Sequence, residues 1–586
     1  MKKIFLTLFL LAIVSLIYYC FFFDFDHSND TLYFGGEIIT MQDSTELAEA
    51  VYVKNGKIIA TGNKSELIKL TSNKTELHDL KGKTLMPGFF DPHGHFDFAT
   101  IFADMVDISG INHRTPKEVW DKVEAACKKG QKGEWIFFYG MDPPLTKGIK
   151  SPTISYLDSI APDKPIVIIT KALHVFYVNS QAFAEIGISS KTPDPSKASY
   201  YERDEKGNLT GGIVEQAALE PLRLKLQEIV KKNFVKNTQK VLDDYAQMGV
   251  TSVVNMGLSN TSDLILSLYR HLSGEKPKPL TNALQLIGKL PNRQPNPRIF
   301  LYLRKEYDSF LPKNVENGDD FFKILGLKFW YDGSPYSGSM FLRKPYLQSN
   351  FTINDIHLGP GHTSESLMRQ SELETLIEKY QSKGWQIAVH SQGDIAGEEV
   401  IAAYENVHKK SPINTYRHRI EHCMLLPKTS LEAMKKMNIS PSFHINHLLF
   451  YGDFLKSDII GEERSEQIFP IQSAVNHKLR YTLHADSPQF IPNPLSLIST
   501  SVNRTTESGT LIGPAERVSV WQALKSMTID AAWQMHMEDK LGSIEKGKYA
   551  DFVILDKNPL KVPSQNLSKI KVLETIVAGN QIWKAK

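Results

Sequence analysis

The sequence predicts an α/β fold, and three observations carry that prediction. Apolar, strand-like runs alternate with amphipathic helical patterns from about Pro87 to about Met535, both ends of the chain read as short strands, and the composition is that of a large globular protein. With 586 residues, 41% of them hydrophobic and 23% charged, the chain can bury a large core in more than one domain, which excludes disordered and fibrous classes. Lysine plus arginine number 68 against 65 acidic residues, so no basic surface advertises a nucleic-acid partner. Only Cys20, Cys127 and Cys423 are present, which rules out a disulfide scaffold.

Taken in order, the chain opens with Lys2 and Lys3 and a run of apolar residues from Ile4 to Phe23. Twenty helical residues cover about 30 Å, one hydrocarbon thickness. The expectation for 1–23 is an uncleaved membrane anchor, with the basic flank cytoplasmic and the rest of the chain outside the cytoplasm. A signal segment is the competitor, and its cleavage would leave a secreted or periplasmic protein. Cys20 follows the bulky Ile17, Tyr18 and Tyr19, which argues against lipidation. From Leu32 come LYFGGEIIT, AVYVK, the turn Asn55-Gly56 and KIIATG, a strong hairpin signal. The last fifty residues repeat the pattern with YADFVILD, VLETIVAG and QIWK. Between them lie PIVIIT, GVTSVVNMG, GLKFWYDG, WQIAVHSQGD, HRIEHC and LRYTLHADSP, with helices such as the one in SELETLIEKYQSKG, where Leu373, Leu376 and Tyr380 share a face and Gly384 stops it. A (β/α)8 barrel takes about 250 residues and tolerates insertions beyond about 400, which suits this block. A doubly wound open sheet shares the pattern, but no glycine-rich phosphate loop follows any of these strands.

Several of these apolar runs end in a residue able to bind a divalent metal, and barrel strand ends are where catalytic groups gather. His93 and His95 in MPGFFDPHGHFD are two apart, so on a strand both imidazoles point the same way. His390 ends WQIAVH, His422 ends RIEH and Asp486 lies in YTLHAD. Each alone reads more readily as a hydrogen-bonded structural group or half-exposed surface; together they read as a metal site. Lys328 in GLKFWYDG is a poor ligand as an ammonium. If burial and a nearby metal depress its pKa, the amine takes up carbon dioxide as a carbamate able to bridge two ions. The other reading is an ordinary lysine paired with Asp332.

The segments MPGFFDPHGHFD, KALHVFYVNSQA, GGIVEQA, GVTSVVNMG, LKFWYDGS, VHSQGD, RIEHC and HADSP, with LGSIEKGKYADFVILD near the end, resemble the amidohydrolase superfamily and specifically its amidohydrolase 3 branch of YtcJ-like metal-dependent hydrolases. The resemblance spans about residues 30–586 and implies a metal-binding (β/α)8 TIM-like barrel over 88–535, with a small β-sandwich built jointly from 30–87 and 536–586. By motif, His93 and His95 would hold the more buried ion, carboxylated Lys328 would bridge, His390 and His422 would hold a second ion, and Asp486 would touch the first ion and the reactive water. One or two ions are expected, zinc first, though iron, manganese, nickel or cobalt suit the same donors. The chain departs from the family pattern at Ala485, where serine is usual, and at Ser391-Gln392, without losing a ligand.

The activity implied is hydrolysis of a non-peptide carbon–nitrogen bond of a small molecule by metal-activated hydroxide, with Asp486 and His422 as catalytic residues and Asp486 moving the proton to the departing nitrogen. His174, Glu215 and Asp394 are expected at the substrate or behind the ligands, where caps or ion pairs would serve equally. His444 and His447 read as surface histidines, and Cys423 as packing. An ester or lactone hydrolase, or a membrane-tethered metal-binding protein without activity, would use the same residues. The sequence is silent on oligomeric state, and a homo-oligomer is compatible with it.

Overall fold

A computed structural model gives the placement of residues 30–43, 47–171, 173, 175–196, 199–274, 279–288, 290, 291 and 293–586. They form two compact units, one running to Asp97 and resuming over Gln239–Lys586, the other comprising Phe98–Thr238.

The first unit is built on eight parallel strands, hydrogen-bonded to one another in chain order: β1 (Phe89–Gly94), β2 (Val250–Leu258), β3 (Arg298–Arg304), β4 (Phe322–Trp330), β5 (Gln386–Ser391), β6 (Arg419–His422), β7 (Ser440–Phe443) and β8 (Thr482–Leu483). The two ends of this sheet meet where the His95 N–H donates to the Ser487 carbonyl at 2.6 Å, so the sheet is a near-closed barrel. Strands buried on both faces read as continuous apolar runs, as in β2, where every residue is buried. The floor of the barrel is packed by Phe90, Val254, Met256, Phe300, Tyr302 and Ala388 against Ala531, Ala532 and Met535. Outside, the helix Gln370–Gln381 buries Leu373, Leu376 and Tyr380, and Gly384 follows it at φ 88°, the left-handed backbone that favours glycine.

Strands from both ends of the chain form one mixed eight-stranded sheet, in the order Asn580–Lys584, Val572–Val577, Phe552–Leu555, Thr84–Pro87, Thr31–Ile39, Leu47–Lys54, Lys57–Gly62, with Glu76–Asp79 also beside Thr31–Ile39. This corrects the expected β-sandwich. Thr84–Pro87 pairs antiparallel with Phe552–Leu555 and parallel with Thr31–Ile39, so backbone ladders join the two ends edge to edge. Asn55 and Gly56 both have positive φ, 50° and 72°, the geometry of a two-residue hairpin turn. Arg298 at the start of β3 is fully buried against Asp551, with Nε–Oδ2 at 2.6 Å and Nη2–Oδ1 at 2.8 Å, and fixes this sheet to the barrel.

The second unit holds a six-stranded mixed sheet, in the order Tyr200–Arg203, Leu209–Val214, Val175–Val178, Ile166–Thr170, Ile136–Met141, Val106–Asp107. The run PIVIIT, read above with the barrel strands, belongs here. Hydropathy marks a buried strand but does not say which sheet takes it. One face is covered by Val119, Val123 and Cys127 of the helix Pro116–Lys129, whose start is fixed by a capping box between Thr115 and Glu118.

The expected membrane anchor is likewise corrected, and with it the membrane as partner and the anchored location drawn from the same segment. No helix among the described residues is long and apolar enough to cross a membrane, and residues 1–23 lie outside the described residues. The longest described helix, Gln216–Gln247, has 32 residues but contains Pro221 and carries Lys231, Lys232, Asp243 and Asp244, which hydrocarbon does not accommodate.

Candidate metal centre

The polar residues of the barrel collect at the carboxyl ends of its strands, as the parallel register requires: His390 pairs with Glu421, Ser391 with His422, and His422 with Phe443. His93 near the end of β1 is wholly buried, and its Nδ1 lies 2.6 Å from Glu421 Oε2. Glu421 in turn accepts from Arg419 Nε at 2.7 Å and Nη2 at 3.0 Å, and the same Nη2 donates to the Pro92 carbonyl at 3.0 Å. Burial pushes the Glu421 carboxyl up, but the Arg419 guanidinium and the His93 N–H outweigh it and hold the group down at about 2. An ionised carboxylate accepts only, so His93 carries its proton on Nδ1 and presents a lone pair at Nε2.

Asp486 follows β8 in a left-handed backbone, φ 55°, which turns its side chain onto β1. His93 Nε2 and His95 Nε2 each lie 3.2 Å from Asp486 Oδ1. Against the cost of burial, hydrogen bonding and positive charge from the facing His93 and His95 rings hold the Asp486 carboxyl well below the ordinary range, a part that a cation would take over where His93 is neutral.

His390 and His422 face each other with ring centroids 4.2 Å apart, and burial pushes both well below the ordinary histidine value, so both are neutral donors. His422 and Cys423 have φ of 73° and 55°, a kink that aims the imidazole inward, while Cys423 is buried with Sγ donating to the Ile420 carbonyl at 3.2 Å. Lys328 is buried, and its Nζ has no hydrogen-bond partner among the described residues. Burial lowers it to about 8 even though Glu421 and Asp486 oppose the shift. The alternative partner, Asp332, is engaged elsewhere: it accepts the N–H groups of Gln392 (2.9 Å), Gly393 (2.8 Å) and Phe341 (3.1 Å) and lies 3.4 Å from His390 Nδ1. Gly257 makes room for the lysine stem; at φ 102° a Cβ there would meet Trp330 Cη2 at 2.8 Å and Lys328 Cγ at 3.2 Å.

Of the remaining expected residues, His174 lies outside the described residues, and Glu215 follows the strand Leu209–Val214 of the second unit at φ 66°. Asp394 begins the helix Asp394–Lys410 and accepts from the N–H groups of Arg343 and Ile395, each at 3.0 Å, so it ties a loop to a helix start. His444 and His447 are not on the surface: both are buried, with His447 Nδ1 2.8 Å from the Tyr336 hydroxyl and His444 Nε2 3.0 Å from the Ala485 carbonyl. His484, absent from the expected set, has its Nε2 3.4 Å from His422 Nδ1 and its ring stacked on His93 at 4.2 Å. Its signal was its place directly after the apolar strand Thr482–Leu483, the position where the other barrel strands carry their polar residues.

The residues present fit a divalent cation. His93 Nε2, His390 Nδ1, Lys328 Nζ and Asp486 Oδ1 are all buried without a hydrogen-bond partner among the described residues, a costly arrangement unless a cation takes the lone pairs. Three overlapping groups, His93–His95–Asp486, His93–His422–His484 and His422–His444–Asp486, each bring their ligand atoms within 4.8 Å of one another. This clustered set of histidines and one aspartate can bind one or two divalent ions.

Fold and site together define a metal-dependent hydrolase of the amidohydrolase superfamily, acting on carbon–nitrogen bonds other than peptide bonds. The chain belongs to the amidohydrolase family Amidohydro_3, whose model matches residues 76–583. It is 26% identical over 563 residues to an N-substituted formamide deformylase of Arthrobacter pascens, covering 94% of this chain and 97% of the relative. It is 25% identical over 562 residues to the putative amidohydrolase YtcJ of Bacillus subtilis strain 168, covering 94% and 99%. A solved structure of an uncharacterized metal-dependent hydrolase from Pyrococcus horikoshii OT3 is similar at a TM-score of 0.69 and 25% identity, covering 91% of this chain and 99% of that one.

Proposed function

We propose that the chain hydrolyses an amide-type bond of a small organic molecule, with His93, His95 and Asp486 holding one zinc ion, His390 and His422 a second, and Lys328 bridging them as a carbamate. The observation that carries this reading is the approach of His93 Nε2 and His95 Nε2 to within 3.2 Å of one oxygen of Asp486, although the chain between them is almost four hundred residues long. The carbamate is supported by the burial of Lys328 and its lowered pKa, which favours the nucleophilic neutral amine.

A divalent ion supplies a charge that acidifies water, from a pKa of about 15.7 toward about 7, and polarises a carbonyl oxygen. The protein's own part lies with the side chains. Glu421 holds His93 in one tautomer, and the neutral His390 and His422 offer lone pairs without having to lose a proton. Asp486, kept ionised, takes the proton of the attacking water as the new carbon–oxygen bond forms, and returns it to the nitrogen as the carbon–nitrogen bond breaks. The products are then a carboxylic acid and a neutral amine.

Because the Arthrobacter relative is an N-substituted formamide deformylase, secondary formamides are the first substrates to offer, beside other amides and matched esters. The decisive variant is Asp486→Asn: loss of about 10²- to 10⁴-fold in kcat on the best amide, measured on protein whose zinc content is confirmed by elemental analysis, is the expected result. Full zinc with unchanged turnover would refute the proton-carrying role. Intact-mass analysis reads the carbon dioxide adduct on Lys328 directly.

A further inference from the structure

We infer that His444, just after β7, is a direct nitrogen ligand of the metal centre and shares an ion with His422 and Asp486. The inference rests on the metal-dependent reading above and adds a donor to the set proposed there. His422, His444 and Asp486 each offer a ligand atom, and these atoms lie within 4.8 Å of one another. The orientation of the imidazole is set by its Nε2, 3.0 Å from the Ala485 carbonyl. A carbonyl only accepts, so Nε2 carries the proton and Nδ1 the lone pair. Ligating histidines habitually give their other N–H to such a partner, which fixes the tautomer and ring.

The ring is also held mechanically. His444 is wholly buried, with the rings of His447 at 4.0 Å, His484 at 4.9 Å and Phe490 at 5.3 Å. Its backbone N–H donates to the His422 carbonyl at 3.2 Å, so the ends of β6 and β7 carry the two imidazoles as one piece. A donor already locked in place loses little freedom on binding an ion. Two imidazoles and one carboxylate are also a donor set that suits zinc and leaves a coordination position open.

His484 is the rival for this role, because it lies nearer to His422. Its ring, however, is face to face with His93 at an interplanar angle of 9°, and Nε2, the nitrogen left once Nδ1 meets the Ser442 hydroxyl at 2.8 Å, is already directed at His422 Nδ1 at 3.4 Å. That geometry makes it a buttress between two other imidazoles. A histidine that merely supports the Ala485 turn would share the burial and the carbonyl contact of His444, so the test must read the metal itself.

Anomalous diffraction from zinc-loaded wild-type crystals is expected to put an ion at about 2.0–2.1 Å from His444 Nδ1, the ordinary zinc–imidazole distance. In solution, His444→Gln is compared with His447→Gln, which alters the neighbouring ring. Zinc affinity of the first should fall by at least about 10- to 100-fold, the loss seen when even an outer partner of a ligand is removed, and its cobalt absorption bands should shift, while the second, which loosens the ring without removing a donor, should lose less affinity and keep the wild-type bands. Melting of both variants stripped of metal reports folding separately, and if His444→Gln does not fold, the diffraction result decides. An ion remote from His444, or unchanged affinity and cobalt spectrum in His444→Gln, overturns the inference and leaves the hydrolase reading standing. A wild-type protein that takes up no divalent metal overturns both.

Discussion

Glu421→Gln tests how much of the centre depends on one carboxylate that touches no solvent. The substitution preserves shape and removes the charge, leaving Arg419 buried without its counter-ion and His93 without a charged acceptor. Stranding one member of a buried ion pair costs about 3–5 kcal/mol. The depressed carboxyl gives an independent figure: a fall from 4.5 to about 2 corresponds to about 3 kcal/mol of linkage. Because the folded value lies below the unfolded one, that stabilisation is present above about pH 4.5 and is lost as the pH falls toward 2. The wild-type protein should therefore lose stability across this window through Glu421, and the variant should show a shallower slope there. Urea denaturation of metal-free protein measures the stability term, and chelator competition measures zinc affinity, expected to weaken by about 10- to 100-fold. Replacing both charges, as Arg419→Met with Glu421→Leu, should recover much of the stability but none of the affinity. Zinc affinity within about twofold of wild type in Glu421→Gln would refute the claim that this carboxylate sets the His93 tautomer.

Three further outcomes follow from other parts of the fold. Asp551→Asn breaks the bidentate contact with the buried Arg298 and should cost about 3–5 kcal/mol in urea denaturation while leaving the zinc content of folded protein unchanged. Gly257→Ala puts a methyl group against Trp330 and Lys328 at φ 102°, and should cost roughly 1–3 kcal/mol and reduce the carbon dioxide adduct seen by intact mass. Asp530 is buried, and desolvation raises its carboxyl above the ordinary 3.8 despite Lys525 and Arg480 nearby; the stability this brings is complete below that value and is lost as the pH rises through the raised one. Between pH 4 and pH 7 the stability difference should thus move in favour of Asp530→Asn, and a difference independent of pH would contradict the assignment.

The legible and illegible parts of this chain separate along a physical line. Side-chain direction on a strand has a period of two, so His93 and His95 announced a shared target from spacing alone. The same rule was available for Arg419 and Glu421, both on β6, but a carboxylate next to a histidine ligand reads locally as just another polar residue. Its role as acceptor for His93 exists only once β6 stands across the barrel from β1. His444 follows Ser-Pro-Ser-Phe, a short run with a proline and little apolar character, so nothing in it marked a buried strand end. Sheet membership was the other blind spot. PIVIIT carries the hydropathy of a barrel strand, whereas RIFLYLR, which does enter the barrel as β3, has an arginine at each end that masks the same character.

The seam of the barrel, where the His95 N–H meets the Ser487 carbonyl, sets a clock on maturation. The first imidazoles leave the ribosome long before Asp486 does, by roughly 20–80 s at about 5–20 residues per second. Through that interval the nascent chain carries histidines able to hold a metal loosely but lacks the carboxylate that completes the cage. The full cage must therefore wait for the last strand, and a polypeptide broken off before residue 482 would lack both Asp486 and the seam that brings it onto His93 and His95.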